Sequence, residues 1–286
     1  MKLPFADDLP QSVRRLGRSI LGGGARRDMA ATIEHLAHLQ YYPNADFRRS
    51  HHTLANLRNR HLGETCVIIG NGPSLKGMDL RQLSFAKTFC MNRGYLLWNE
   101  AGLTPDYFVA VNDLVIEQFH HEIAQLSCPL FIPWRHRRHF PACNRATFIE
   151  MRWQRRFFGN VSSGLWPGAT VTFATLQLAF HMGFAKAILI GVDHRFAVDG
   201  PAHLEVLQQD DDLSHFSTNY FGRGVRWNLP DLLQSEYAYC LAKAAYEQDG
   251  RIVIDATKGG HLEVFPKMSL EEAARAPLPP KQSTGN

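Results

Sequence analysis

No stretch of this 286-residue chain reaches the ~20 uninterrupted apolar residues that a membrane-spanning helix needs. A secretory leader is not expected either, because Asp7 and Asp8 come early and arginines break up the residues after them. Cysteine is scarce. The five (Cys66, Cys90, Cys128, Cys143, Cys240) are odd in number, widely spaced and mostly inside apolar runs, with no CxxC and no Cys/His spacing suited to zinc. Buried free thiols in a reducing compartment are the expectation, hence a cytoplasmic protein. Internal repeats are absent, and so are the P-loop pattern GxxxxGK[ST] and the dinucleotide pattern GxGxxG. The composition, 45% apolar and 20% charged, excludes a disordered chain.

Charge is present but unevenly placed. Residues 1–63 hold ten Lys/Arg and five Asp/Glu, a balance of +5; the rest holds 21 against 22, or −1. Within the basic segment Val13–Leu21 is a short amphipathic stretch closed by Gly22-Gly23-Gly24, and Asp28–Gln40 has helical spacing of Ile33, Leu36 and Leu39. Peripheral contact with anionic lipid is one reading of this arm. A solvated helical arm packed on the body is the other. Nucleic acid is not expected as a partner, since a body near −1 offers no broad basic face.

From Glu64 the texture changes. Short apolar runs at Thr65–Gly70, Thr88–Met91, Tyr107–Val111, Pro129–Ile132, Thr147–Met151, Ala187–Ile190 and Arg251–Ile254 alternate with helical stretches, most clearly Thr170–Met182 and Leu232–Gln248. Continuous apolar strands alternating with helices predict a Rossmann-like α/β fold, a mostly parallel sheet with helices on both faces. The expected organisation is an arm over 1–63, a nucleotide-binding domain over 64–270, and a disordered tail over 271–286.

In such sheets ligands bind outside the carboxyl ends of the strands, where most polar motifs of this chain fall. Ile69-Gly70-Asn71-Gly72-Pro73-Ser74-Leu75 is the sharpest. Gly70 and Gly72 permit a tight turn and close approach of a ligand, and Ser74 is placed to cap a helix after it. Exposed amides there suit a phosphate. Ser162-Ser163-Gly164 precedes the helix beginning near Thr170 and offers similar amides, or simply a capped helix. Asn92 and Asn112 end the second and third strands; single polar residues there are also ordinary turn formers. Asp193, ending a strongly apolar strand, can orient a hydroxyl, hold a histidine, ligate a metal, or cap a helix. Gln208–Phe216 with Asn219–Gly222 is a polar-then-aromatic segment expected to be a mobile lid; its Asp210–Asp212 run reads as a solvated loop or a Mg²⁺ ligand set.

Gly70-Asn71-Gly72-Pro73-Ser74-Leu75-Lys76, Cys90-Met91-Asn92-Arg93, Val111-Asn112-Asp113, Ser162-Ser163-Gly164, Leu189–His194 and Asp255–Gly260 together resemble one superfamily, in the same order along residues 64–266. It joins archaeal 6-hydroxymethylpterin diphosphokinase-like proteins to bacterial CMP-sialic-acid transferases of the Campylobacter type and to the central domain of the flagellin-modifying motility-associated factor. The two branches imply different chemistry. Diphosphokinases of this type place aspartates at the second and third strand ends to hold Mg²⁺ against a triphosphate. Here those places carry Asn92 and Asn112-Asp113, one carboxylate where that chemistry wants two or three; on the diphosphokinase reading Asp113 and Asp193 would hold the metal. In the transferase branch, asparagines at these ends bind a cytidine nucleotide without metal, matching Asn71, Asn92 and Asn112.

By that resemblance the nucleotide site comprises Gly70, Asn71, Gly72, Ser74, Asn92, Asn112, Ser163 and Gly164. His215 is the general base and Tyr220 stabilises the leaving phosphate; Asp193 is the further catalytic candidate, with the roles given above. The transferases' base also aligns with Arg223, where this chain has no histidine. The implied activity is transfer of a nonulosonate-like sugar from a CMP donor to a glycan or protein acceptor, with no cofactor. The diphosphokinase alternative uses ATP and Mg²⁺, and a non-catalytic nucleotide-binding protein is the third.

Overall fold

The computed structural model describes residues 43–195, 200–210, 212, 214–218 and 220–278. The expectations for 13–21 and 28–40, and with them the arm's lipid contact, lie outside the described residues. The chain divides into two compact units after His51. The sheet and the cavity belong to the larger, 52–286, whereas helix α1 (Ala45–Leu57) begins before the division.

The predicted strands form, each where an apolar run precedes a turn: β1 (Thr65–Ile69), β2 (Lys87–Met91), β3 (Tyr107–Val109), β4 (Leu130–Pro133), β5 (Ala146–Ile149), β6 (Lys186–Ile190) and β9 (Ile252–Asp255). They make one parallel sheet in the order β5-β4-β3-β2-β1-β6-β9. The chain starts at β1, winds outward to β5, then returns to lay β6 against the other side of β1, with Ile69 opposite Ile190. Strand order therefore reverses between β1 and β6, and a crevice opens at the carboxyl ends there.

Helix α2 (Tyr95–Ala101) follows β2, and α3 (Asp113–Gln125) follows β3 under an Asn112 cap whose Oδ1 accepts the Val115 N–H at 3.1 Å. Helix α4 (Val171–Met182) is buried on nearly every face, as its all-round apolarity requires, and carries the core between the sheet and α5 (Leu232–Gln248). Thr170 caps α4 and Asp231 caps α5, so both helices lie where the periodicity predicts them.

Two elements depart from the expectation. Glu205–Leu207 (β7) and Arg226–Asn228 (β8) pair as an antiparallel hairpin, held to α3 by Gln118, whose amide bonds both the N–H and the carbonyl of Arg226. The tail expected to be disordered from residue 271 instead begins as helix α6 (Leu270–Arg275). Ser269 and Glu272 form a capping box at its start. At its end Lys186 Nζ, on a buried residue, donates to the carbonyls of Ala273, Ala274 and Ala276.

Candidate active site

The crevice at the β1/β6 reversal is a cavity of about 390 Å³. Its floor is built from glycine. Gly70 and Gly72 donate to the carbonyls of Ile190 and Gly191, so the turns after β1 and β6 run backbone against backbone. A Cβ at Gly70 would lie 2.1 Å from the Gly191 oxygen; no side chain fits. Asp193 locks this contact, its Oδ1 accepting the Ser74 N–H at 3.1 Å and its Oδ2 the Ser74 hydroxyl at 2.7 Å. Ser74 thus caps no helix, contrary to expectation, but joins the β1 turn to the β6 turn. Further support comes from β9: Asp255 Oδ1 accepts the Thr257 N–H, and the Thr257 hydroxyl accepts the Val192 N–H. The Asp255–Gly260 motif is a buttress behind the β6 turn.

Around this floor stand the ends of β2, β3 and the start of α4. Asn71, Asn92 and Asn112 all line the cavity, but they differ in kind. Asn112 spends its Oδ1 on the α3 cap. The Oδ1 atoms of Asn71 and Asn92 are buried with no hydrogen-bond partner, and Asn92 holds a left-handed backbone (φ 50°). An unpaired buried carbonyl costs ~1–3 kcal/mol, which a ligand N–H can offset.

Ser163 and Gly164, expected beside the nucleotide, do not line this cavity. The Ser163 carbonyl receives Arg152 Nε, and Gly164 (φ 103°) packs against the Glu150 carbonyl, where a Cβ would come within 2.6 Å. The part that reaches the cavity is the start of α4 itself, Ala169 to Thr172, with the positive end of the helix dipole. The glycine and hydroxyl signal of the sequence therefore lies ahead of the residues that form the wall.

Of the segment expected to be a mobile lid, Gln209 and Asp210 are exposed but the aromatic part is packed. His215, Phe216, Tyr220, Phe221 and Trp227 are buried together, and the Phe216 N–H donates to the Asn71 carbonyl at 2.9 Å, tying the segment to the β1 turn. The His215 ring stacks on Tyr220 at 3.9 Å between centroids and 8° between planes. Tyr220 is 1% exposed, and its hydroxyl accepts the Arg93 N–H at 3.3 Å while the Arg93 guanidinium bonds the Tyr220 carbonyl. Burial pushes the Tyr220 hydroxyl well above the usual tyrosine range. Tyr220 is placed as a platform under His215.

Asp212, which the sequence puts in a solvated acidic run, is in fact 3% exposed. Its Oδ2 receives His215 Nδ1 at 2.7 Å and the Phe221 N–H at 3.1 Å, while Oδ1 receives the Ser214 N–H. The available signal is the D-x-x-H spacing, hidden by the two aspartates before it. His215 lines the cavity with its ring plane set by Tyr220. Arg223, the alternative place for a base, is exposed.

The diphosphokinase branch implies Mg²⁺ on Asp113 and Asp193, and the donors do not fit it. Asp113 Oδ1 already takes Arg135 Nε at 2.7 Å and His136 Nε2 at 2.5 Å. Burial alone would raise the Asp113 pKa, yet the His136 bond and the Arg135 charge outweigh it and hold the carboxyl below its usual range. Both oxygens of Asp193 are used by Ser74. Among the described residues no group of three or more His, Cys, Asp or Glu is arranged to hold a metal, and no helix is long and apolar enough to cross a membrane.

A doubly wound parallel sheet with a polar cavity at its strand-order reversal defines a Rossmann-like α/β protein. The chain belongs to the 6-hydroxymethylpterin diphosphokinase MptE-like family, whose model matches residues 39–199. Among solved structures it is similar to the Maf glycosyltransferase from Magnetospirillum magneticum AMB-1, at 17% identity and a TM-score of 0.48, over 81% of this chain and 39% of that one. The chain therefore spans well under half the length of that neighbour. No curated protein matches it.

Proposed function

We propose that this protein is a glycosyltransferase that binds a CMP-activated, nonulosonate-like sugar without metal and transfers it to a glycan or protein acceptor. The observation that carries the reading is the meeting, in one cavity, of His215 with Asn71 and Asn92, whose amide oxygens are buried and unpartnered. Unsatisfied acceptors suit the N–H groups of a base or sugar amide. The α4 N-terminus beside them suits a phosphate. An imidazole is apt for taking a proton from a sugar hydroxyl. The cation-paired Asp113 argues against a triphosphate–Mg²⁺ site.

Pyrophosphoryl transfer to a pterin is the second reading, favoured by the description of the matching family. Calorimetry separates the two. Metal-independent binding of CMP supports the transferase; ATP binding that requires Mg²⁺, with pterin turnover, overturns it. Nucleotide binding without product from any of a panel of nucleotide sugars would favour the non-catalytic reading.

A further inference from the structure

We propose that Asp212 is the positioning residue of the site: it fixes the tautomer and in-plane direction of the His215 imidazole, so that Nε2 is the atom that takes the acceptor's proton. The inference rests on the transferase reading for its kinetic consequence, but not for its structural content. An ionised carboxylate can only accept, so the 2.7 Å contact between Asp212 Oδ2 and His215 Nδ1 puts the proton on Nδ1. A neutral imidazole with Nδ1–H carries its lone pair on Nε2.

Two constraints then define the ring completely. Tyr220, stacked 8° from parallel, sets the plane, and Asp212 sets the rotation within that plane. Asp212 is itself immobilised by the Ser214 and Phe221 N–H groups. In the reaction the acceptor O–H bond breaks and Nε2–H forms. The oxygen bonds to the anomeric carbon, the carbon–phosphate oxygen bond breaks, and its electron pair leaves with the nucleotide. The imidazolium formed is stabilised by Asp212 and later returns its proton to water.

A purely structural role for Asp212, holding its own turn, is the competing account. Asp212→Ala separates them, because it removes the acceptor that holds Nδ1–H while leaving the ring its Tyr220 platform. The first readout needs no substrate: ¹⁵N NMR of the histidine side chains of the full chain at pH 8, with the His215 signals identified by their loss in His215→Gln. The expected result is Nδ1–H in the wild type and a shift to Nε2–H, the tautomer that imidazole prefers in water, in Asp212→Ala. Nε2–H in the wild type, or an unchanged tautomer in the variant, overturns the inference. Should the variant fail to fold, the wild-type tautomer alone decides.

The second readout is turnover of a CMP-sugar. Asp212→Ala should lose ~10²-fold or more in kcat with the donor Kd within about twofold, and should add nothing to the loss in His215→Ala. Additive losses would assign Asp212 a structural role. Absent turnover with every donor, alongside the expected tautomers, would sink the transferase reading and leave the positioning of His215 intact.

Discussion

A Cβ placed on Gly72 would lie 1.8 Å from Asp193 Oδ2, so the glycine and the carboxylate occupy one another's only available space. The Gly72 backbone (φ −71°, ψ 161°) is open to any residue. Its glycine is therefore required by contact and not by conformation. Gly72→Ala should displace Asp193 from Ser74 and cost about 1–3 kcal/mol, an overpacking penalty, read as a Tm several degrees lower and weakened nucleotide binding. Gly222, beside which a Cβ would meet nothing within 4 Å, is the control; Gly222→Ala should stay within ~0.5 kcal/mol of wild type. Equal effects at the two positions would contradict the role given to the Gly72–Asp193 contact.

Tyr220 distinguishes a platform from a catalytic hydroxyl. The resemblance implies that this residue meets the leaving phosphate; the geometry puts its ring under His215 and its hydroxyl on the Arg93 N–H. Tyr220→Phe keeps the stack and should leave kcat within a few-fold of wild type. Tyr220→Ala removes the platform and, as a large-to-small change in a fully buried position, should cost about 3–5 kcal/mol in denaturant unfolding. A collapse of kcat in Tyr220→Phe with stability unchanged would restore the hydroxyl to the chemistry.

Periodicity sets how much of the fold is legible in the sequence. Cys66–Ile69 and Ala187–Ile190 are so continuously apolar that only strands buried on both faces accommodate them, and Thr170 and Asp231 mark helix starts chemically. The hairpin is not legible, because Glu205-Val206-Leu207 and Arg226-Trp227-Asn228 are three-residue strands whose placement depends on Gln118, some hundred positions away. The site divides in the same way. Strand-end glycines and asparagines are local signals that the sequence displays. Asp212 acquires its meaning only once Tyr220 and His215 bury it, and an aspartate among aspartates carries no local mark of that.

Stability should also depend on pH through His181. The residue is 1% exposed on α4 and donates Nε2–H to the Leu54 carbonyl at 2.7 Å, while its Nδ1 is buried without a partner. Desolvation dominates and holds its pKa below the ordinary value, although the Leu54 bond opposes it. Because the folded state resists protonation, the unfolded chain binds the extra proton first. Stability is then full above the unfolded pKa of ~6.5 and falls as pH drops below it, towards the folded value. Thermal melts from pH 8 to pH 5 should show a falling Tm. His181→Gln, which keeps a donor and removes the titration, should flatten the slope relative to wild type; an unchanged slope would remove His181 as its source.

The three strand-end asparagines should separate by measurement because only one of them has its amide oxygen engaged. Asn112 holds the first turn of α3, so Asn112→Ala forfeits a cap and should destabilise the fold by ~1 kcal/mol in denaturant titrations. Its effect on CMP affinity should be the smallest of the three. Asn71→Ala and Asn92→Ala each delete a buried oxygen that has no protein partner, so the unliganded fold loses no hydrogen bond to that atom. At Asn92 the left-handed backbone adds a strain cost for alanine of ~1 kcal/mol, and Asn92→Gly removes that complication. If nucleotide N–H groups pair with these two oxygens, CMP affinity should fall about tenfold in Asn71→Ala and in Asn92→Gly, with Tm changed little. Unaltered affinity in both variants would mean that the nucleotide is bound elsewhere, and the cavity at the β1/β6 reversal would lose its claim to be the donor site.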